Sequence, residues 1–491
     1  MRKTFGLAAI AILAIPFTVY SAKAIKLFCI GDSIVKSGFP DENLIILLGP
    51  SFDVYAAGSS HATALRNTNV NIWTKGPWDA LWKYKPDAVT IMMGTNDTKD
   101  ANWPTYGKNF EADYSDLIDT AGSAPSKPVV IPVLPPPIFT NGLGIVNGVM
   151  VKNILPIEKK VAEAKKLAYI DANTPLLAHS EVFSDGVHPN AAGMDSLAAI
   201  YYRGIASMSK RIACITDHAP TIIHAKTGKT WADSLTYPVQ LGRLFGWGTL
   251  VQNFGATGAS IRSNGKTPIL TAARLKSLRA WKPHVVTIML GTYDASASGW
   301  NQTAFEQDLS NLLDSLATIK PQPDVRLVLP PPVFKSSSTV DATTLKDKIL
   351  PALAKVAAAK SVSVIDVNAR FQNLSRLVPD GVVPGAAGQD SIAAILHEAL
   401  GSPATGVGKR STVPKLSVRT TSTSLVVHSE NAEDLHVELF SLDGRSILSQ
   451  RVPAFLASRS FEIPLGGLGK GTFLYRVRSQ GTSSSGTISH F

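Results

Sequence analysis

Cysteine is nearly absent: 491 residues hold two, Cys29 and Cys214. Their distance in sequence excludes a disulfide-stapled scaffold and the short cysteine spacings of a zinc site. Each follows an apolar residue and precedes an isoleucine, the setting of a buried thiol that packs as a small hydrophobe. Charge is also scarce. Only 17% of residues are Asp, Glu, Lys or Arg, and the formal net charge is +11. No basic block exceeds single pairs such as Lys409-Arg410, so a nucleic-acid groove is not expected. Beyond Tyr20 no long apolar run occurs, and no transmembrane anchor is expected after that point. With 45% hydrophobic residues the chain is too apolar for disorder and long enough for two or three packed domains.

Met1-Arg2-Lys3 precedes an apolar run from Phe5 to Tyr20, and Ala22-Lys23-Ala24 follows as a small-x-small pattern. These are the three parts of a signal peptide, residues 1–24, cleaved after Ala24. Removal of Arg2, Lys3 and Lys23 lowers the formal charge from +11 to about +8.

The main organisational feature is an internal duplication. The stretch Lys85 to Asp97 returns as Lys282 to Asp294, an offset of 197. Leu134 to Phe139 returns as Leu329 to Phe334, Ile154 to Pro156 as Ile349 to Pro351, and Ile170 to Asn173 as Ile365 to Asn368, all at an offset of 195. In the first copy, strand-like runs at Ala88 to Met93, Val129 to Leu134 and Leu167 to Ile170 alternate with helical stretches from Phe110 to Thr120 and Ile154 to Lys166. That alternation predicts an α/β domain around a buried parallel sheet, twice over.

The stretch Leu27-Phe-Cys-Ile-Gly-Asp-Ser-Ile34 is a short apolar run that stops at Gly31 and presents Ser33 where a parallel strand ends. A serine hydroxyl needs a base, an orienting acid and oxyanion donors. Gly58 follows a second strand-like run and lets a backbone amide approach a ligand. Asn96 follows the third strand, with a side-chain amide able to donate to an oxyanion. Asp185 and His188 stand three apart in a loop marked by Gly186 and Pro189, so the carboxylate can orient the imidazole that takes the Ser33 proton. Asp32 and Asp97 are expected to bond within their own loops. Trp103 is expected to pack, as is its counterpart Trp300. Trp73 and Trp78 align with Leu270 and Leu275 and suggest apolar faces, and His61 is close enough to Gly58 to line the pocket.

In these four blocks the sequence resembles the SGNH (GDSL-type) hydrolase family over about residues 25–207. The resemblance implies a flavodoxin-like three-layer α/β/α sandwich and ester hydrolysis with no cofactor and no metal. It further implies catalysis by Ser33, Asp185 and His188, with an oxyanion hole made by the Ser33 and Gly58 amides and Asn96. In the second copy, about 208–402, Ser33 is replaced by His218, Asn96 by Tyr293 and His188 by Val383, while Gly255, Gly291, Asp294, Asp380 and Gly381 remain. That copy is expected to keep the fold and lose the reaction.

Residues 403–415 are rich in Gly, Ser, Thr and Pro and are expected to be a linker. From Leu416 to Phe491 the pattern predicts a small all-β sandwich, with alternation at His436 to Leu439, a turn at Asp443-Gly444 and a strand from Thr472 to Val477. Leu439 to Arg445 and Gly471 to Val477 resemble the C-terminal sorting domain of type IX secretion substrates, which implies that machinery as a partner and export through the periplasm to the cell surface or medium. The combined expectation is a secreted esterase that removes O-acetyl groups from carbohydrate such as xylan or sialate. The alternatives are a lipid esterase or thioesterase of the same fold, or a polysaccharide-binding protein.

Overall fold

The structure is a computed structural model. It describes residues 22–490 apart from 38–40, 141, 219, 224–229, 297–299, 402–415, 421–423, 430–434, 442–445, 453–459, 465–470 and 480–481. Most of the leader and the 403–415 linker, together with the Asp443-Gly444 turn, thus lie outside the described residues. The chain forms two compact units, 1–403 and 404–491.

The first copy is built on five strands: β1 (Ile25–Gly31), β2 (Phe52–Gly58), β3 (Ala88–Met92), β4 (Val129–Leu134) and β5 (Ile170–Asp171). They run in the order β2-β1-β3-β4-β5 with every neighbour parallel. This is the flavodoxin-like order, whose ligand crevice lies beyond the carboxyl ends of the strands where the winding reverses, between β1 and β3. Alternate side chains of β1 enter different cores. Leu27 and Cys29 join Leu44, Leu48, Leu197 and Tyr201 on one face. Phe28 and Ile30 join Phe110, Leu117, Ile154 and Val161 on the other. A sheet covered by helices on both faces needs apolar residues at successive strand positions, which is why these strands are nearly unbroken apolar runs.

The second copy repeats the plan. Its sheet comprises β6 (Lys210–Thr216), β9 (Thr249–Asn253), β10 (Val285–Met289), β11 (Asp324–Leu329) and β12 (Ser363–Asp366), in the order β12-β11-β10-β6-β9. Read from β9, that is the same winding, again parallel throughout. A hairpin of β7 (Thr221–Ile223) and β8 (Thr230–Ala232) is inserted directly after the first strand. The two copies are packed together. Trp247, Leu250 and Trp281 of the second lie against the first copy's core. The Trp281 indole donates to the Tyr202 hydroxyl (2.7 Å), the Ser51 hydroxyl to the Val239 carbonyl (3.1 Å) and the Arg243 guanidinium to the Pro50 carbonyl (2.9 Å).

Three sequence expectations are adjusted. The fifth strand is only Ile170–Asp171, because Leu167 donates to the Ala162 carbonyl and Lys166 takes a left-handed φ of 55°, so the start of the expected strand is used to close the preceding helix. That helix, Leu155–Ala164, is entered through a π-helical turn at Met150–Ile154. Asp97 bonds its own backbone N–H as expected, but its main partners lie in another loop. In the terminal unit, β13 (Leu416–Thr420), β14 (Ser424–Ser429) and β17 (Ser460–Pro464) form one antiparallel sheet. The other comprises β15 (Leu435–Phe440), β16 (Ser446–Val452), β18 (Gly471–Ser479) and β19 (Thr482–His490). Among the described residues no helix is long and apolar enough to cross a membrane.

One buried group is at odds with its surroundings. Glu158 is fully buried on the helix Leu155–Ala164, and neither carboxylate oxygen has a hydrogen-bond partner; the nearby buried Tyr114 hydroxyl has none either. Burial, and secondarily Asp97, pushes the Glu158 carboxyl well above the usual range. The second copy has Leu353 and Leu309 in these places. Leu353 packs beside Gly291 as Glu158 packs beside Gly94. Glu158→Leu should therefore stabilise the protein by about 1–3 kcal/mol. A carboxyl whose folded pKa is raised gives its stability below the unfolded pKa and loses it as pH rises, so the gain in Tm should widen between pH 5 and pH 8. Thermal unfolding of both proteins across that range is the check, and a lower Tm for the variant at pH 8 would contradict it.

Candidate active site

Ser33 opens a one-turn helix, Ser33–Lys36, directly after β1, and Asp32 caps it by accepting the Ile34 N–H (3.0 Å). Burial pushes the Asp32 carboxyl up to about 6, against the lowering effects of that N–H and of His188. From the far end of the domain, in the loop before the helix Ala191–Ser207, comes His188. Its Nε2 lies 3.0 Å from the Ser33 Oγ, and its Nδ1 lies 2.7 Å from the Asp185 Oδ2. Oδ1 of Asp185 accepts the N–H groups of Val187 (2.9 Å) and His188 (2.7 Å), so one carboxylate both shapes the loop and orients the ring. Partial desolvation would raise the Asp185 carboxyl, but those two N–H groups and the imidazole outweigh it and hold the group at about 2. The loop is anchored by Phe139, whose N–H donates to the Gly186 carbonyl (2.8 Å) and whose ring packs on Phe183 (5.1 Å).

The structure also brings Gly58 and Asn96 to this crevice. Gly58 is the last residue of β2, and a side chain there would collide with the Asp32 carbonyl and the Lys36 amide, so glycine is what lets β2 end against the Ser33 turn. Asn96 begins the turn Asn96–Thr98 after β3. Its Nδ2 lies 3.4 Å from the Asp32 Oδ2 and 3.3 Å from the Ala62 carbonyl, long contacts from which an amide can readily re-aim toward a stronger acceptor. Asp97 reaches across to the loop after β2 and accepts the Leu65 (2.9 Å) and Ala64 (3.1 Å) N–H groups. It therefore ties the Asn96 turn to the Gly58 loop, a role its spacing in the sequence did not suggest.

Trp103 packs on Phe110, and Trp73 stacks on Trp78 while its indole donates to the Ala64 carbonyl (2.7 Å), so these rings serve packing. His61 is exposed beside the crevice and meets Lys99, whose Nζ is 3.5 Å from its Nδ1. Lys99 was not singled out by the sequence; comparing the copies, in which Ser296 replaces it, was the available signal. Among the described residues no group of three His, Cys, Asp or Glu side chains could hold a metal ion.

The second copy keeps the framework around a different set of side chains. Asp294 accepts the Ile261 (2.9 Å) and Arg262 (3.0 Å) N–H groups as Asp97 does in the first copy. Asp380 accepts the Val382 and Val383 N–H groups (2.8 and 2.6 Å), and Phe334 donates to the Gly381 carbonyl (2.7 Å). At the position of Ser33, however, stands His218, buried and stacked on Tyr293 with ring centroids 5.8 Å apart. Among the described residues no serine hydroxyl and second imidazole complete a line there, and Val383 occupies the place of His188.

The duplicated parallel sheet, with its crevice of Ser33, Gly58, Asn96 and His188, defines a class. The chain belongs to the GDSL-like Lipase/Acylhydrolase family, whose model matches residues 29–195 and again 224–390. The first match contains Ser33; the second begins only after the His218 block. An acetylxylan esterase of Xylanibacter ruminicola is 30% identical over 204 residues, which are 36% of this chain and 42% of that protein, so the chain spans less than half the length of this curated relative. Among solved structures, a carbohydrate acetylesterase from Sinorhizobium meliloti is 20% identical, covering 38% of this chain and 99% of that one at a TM-score of 0.31. An acetylxylan esterase from Geobacillus stearothermophilus is 22% identical, covering 38% and 95% at a TM-score of 0.30.

The twin loops separate the two duties of Asp185. Asp185→Asn keeps an oxygen for the loop N–H groups and loses the charge on the imidazole, and should lower ester hydrolysis by about 10²- to 10⁴-fold with little change in Tm. Asp380→Asn, in the second copy, should leave the rate unchanged. Equal loss of activity in both variants, measured on a short acyl ester, would contradict this assignment.

Proposed function

We propose that the protein is a serine esterase that removes O-acetyl groups from carbohydrate, and that all of its chemistry belongs to the first copy. The observation that carries the reading is the hydrogen-bonded line Ser33–His188–Asp185 at the carboxyl end of β1, in a copy whose twin has the same framework without the line. The acetylxylan esterase relative supports the acetyl and carbohydrate parts of the reading.

In the proposed reaction His188 Nε2 takes the Ser33 proton as Oγ attacks the acetyl carbonyl carbon. The oxyanion that forms is met by the Ser33 and Gly58 amides and the Asn96 side-chain amide. Collapse breaks the bond to the sugar oxygen, which leaves with the proton from His188. Water, deprotonated by the same imidazole, then attacks the acetyl-serine carbonyl carbon; the bond to Oγ breaks, Oγ takes the proton back from His188, and acetate leaves. Asp185 stays ionised throughout and holds the ring in the tautomer with its proton on Nδ1.

The segment 416–491 is proposed to be a small β-sandwich that serves as a type IX sorting signal, after a leader at 1–24 has directed export to the periplasm. The antiparallel sheets of the separate terminal unit support this, together with the resemblance of Leu439 to Arg445 and Gly471 to Val477.

Two experiments test the reading. Ser33→Ala should reduce kcat on a short acyl ester and on acetylated xylan by roughly 10⁴-fold while the protein stays folded; a folded variant with near-normal turnover would sink the assignment. Deleting residues 403–491 should spare hydrolysis and leave the active enzyme in the periplasm of the native host. Normal export of the shortened chain would refute a sorting role.

A further inference from the structure

His61 and Lys99 take no part in the acyl transfer described above, and the second copy lacks both. They sit on the two loops that frame the crevice. The Ala62 carbonyl, next to His61, accepts Asn96 Nδ2 at 3.3 Å, and the Lys99 N–H donates to the Asn96 carbonyl at 3.3 Å. Partial burial pulls the Lys99 ammonium below its usual range, opposed by the field of the buried Asp32, the neighbour of Ser33. His61 holds a left-handed φ of 64°, and at the matching position the second copy has Gly258 with φ 74°. That backbone conformation favours glycine, and the first copy carries an imidazole there instead. Lys99 is replaced by Ser296. Among the described residues no carboxylate forms an ion pair with Lys99.

We propose that Lys99 and His61 form a subsite for a carboxylate on the substrate, so that the ester cleaved at Ser33 is carried by an acidic sugar or its immediate neighbour. This rests on the esterase reading above. The Lys99 Nζ stands 3.5 Å from the His61 Nδ1, at the outer limit of a hydrogen bond, so that an ammonium and an imidazole N–H can face one ligand together. The pair thus offers a positive charge and a second donor, the complement of a carboxylate with two acceptor oxygens. A neutral acetylated sugar has no group that requires this charge. Both hexuronic acids of plant polysaccharides and sialic acids present the required carboxylate.

The test uses the full-length protein on two matched pairs of substrates: acetylated glucuronoxylan with and without its uronic acids reduced to neutral sugars, and O-acetylated sialic acid with and without its carboxylate methylated. The expected result is a kcat/KM at least roughly tenfold higher on the carboxylate-bearing member of one pair, expressed in KM. The pair that shows it names the source of the carboxylate. The ratio should fall to about one in Lys99→Met, survive in Lys99→Arg, and shrink in His61→Gly, whose backbone the second copy already demonstrates with Gly258. Ratios near one in both pairs for the natural protein, or a ratio unmoved by Lys99→Met, would overturn the subsite. Hydrolysis of 4-nitrophenyl acetate separates the two readings: if it proceeds while the ratios are one, only the subsite fails, and if it is absent the esterase reading fails as well.

Discussion

The first copy depends on one contact, the 3.0 Å approach of Ser33 Oγ to His188 Nε2 across 155 residues of sequence. Neither side chain reaches the other unless β1 ends at the switch point of the sheet and the loop before the last helix folds back over that end. The parallel sheet supplies the first condition, since its winding opens a crevice beyond the carboxyl ends of β1 and β3. Asp185 supplies the second by gathering two backbone N–H groups with one oxygen while the other meets the imidazole. Gly58 and Asp97 then close the floor. The former lets β2 end against the Ser33 turn, and the latter ties the Asn96 turn to the loop after β2.

The second copy separates framework from chemistry within one chain. What persists there are groups that bond to backbone: Asp294 on the Ile261 and Arg262 amides, Asp380 on the Val382 and Val383 amides, and Gly255 tight against Thr216. What has gone are the side chains of the proposed site, Ser33, Asn96 and His188, and with them His61 and Lys99. Glu158 and Tyr114 have given way to leucines, the expected fate of buried polar groups that have no partner. The Trp247, Leu250 and Trp281 contacts give the second copy a packing role whatever else it does, because they complete the first copy's core.

Much of this was legible in the sequence, for identifiable reasons. Fully apolar runs ending in glycine or a polar turn locate the strands of a buried parallel sheet, and the duplicated blocks show which of their residues the fold itself requires. The Asp185 to His188 spacing gave away a local pair because three residues in a glycine-marked turn can hardly keep them apart. The reach of Asp97 was missed because its further partners, Ala64 and Leu65, lie 33 and 32 residues away on another strand's loop, a distance that no local pattern encodes. Glu158 was passed over because it stands next to Lys159 and Lys160, although its spacing of four from Ile154 and three from Val161 puts it on the buried face. The fifth strand was overdrawn because Leu167 to Tyr169 look apolar enough to pair, whereas the helix before them needed those residues for its own termination.

The central claim is that Ser33, activated by His188, is the nucleophile and that the second copy has none. The most direct measurement is covalent trapping by a fluorophosphonate followed by peptide mass spectrometry on the full chain. The account predicts a single adduct on Ser33, formed at a rate that collapses when His188 is replaced by alanine, and no adduct between residues 208 and 402. An adduct on another residue, or labelling of Ser33 at an undiminished rate without His188, would contradict it.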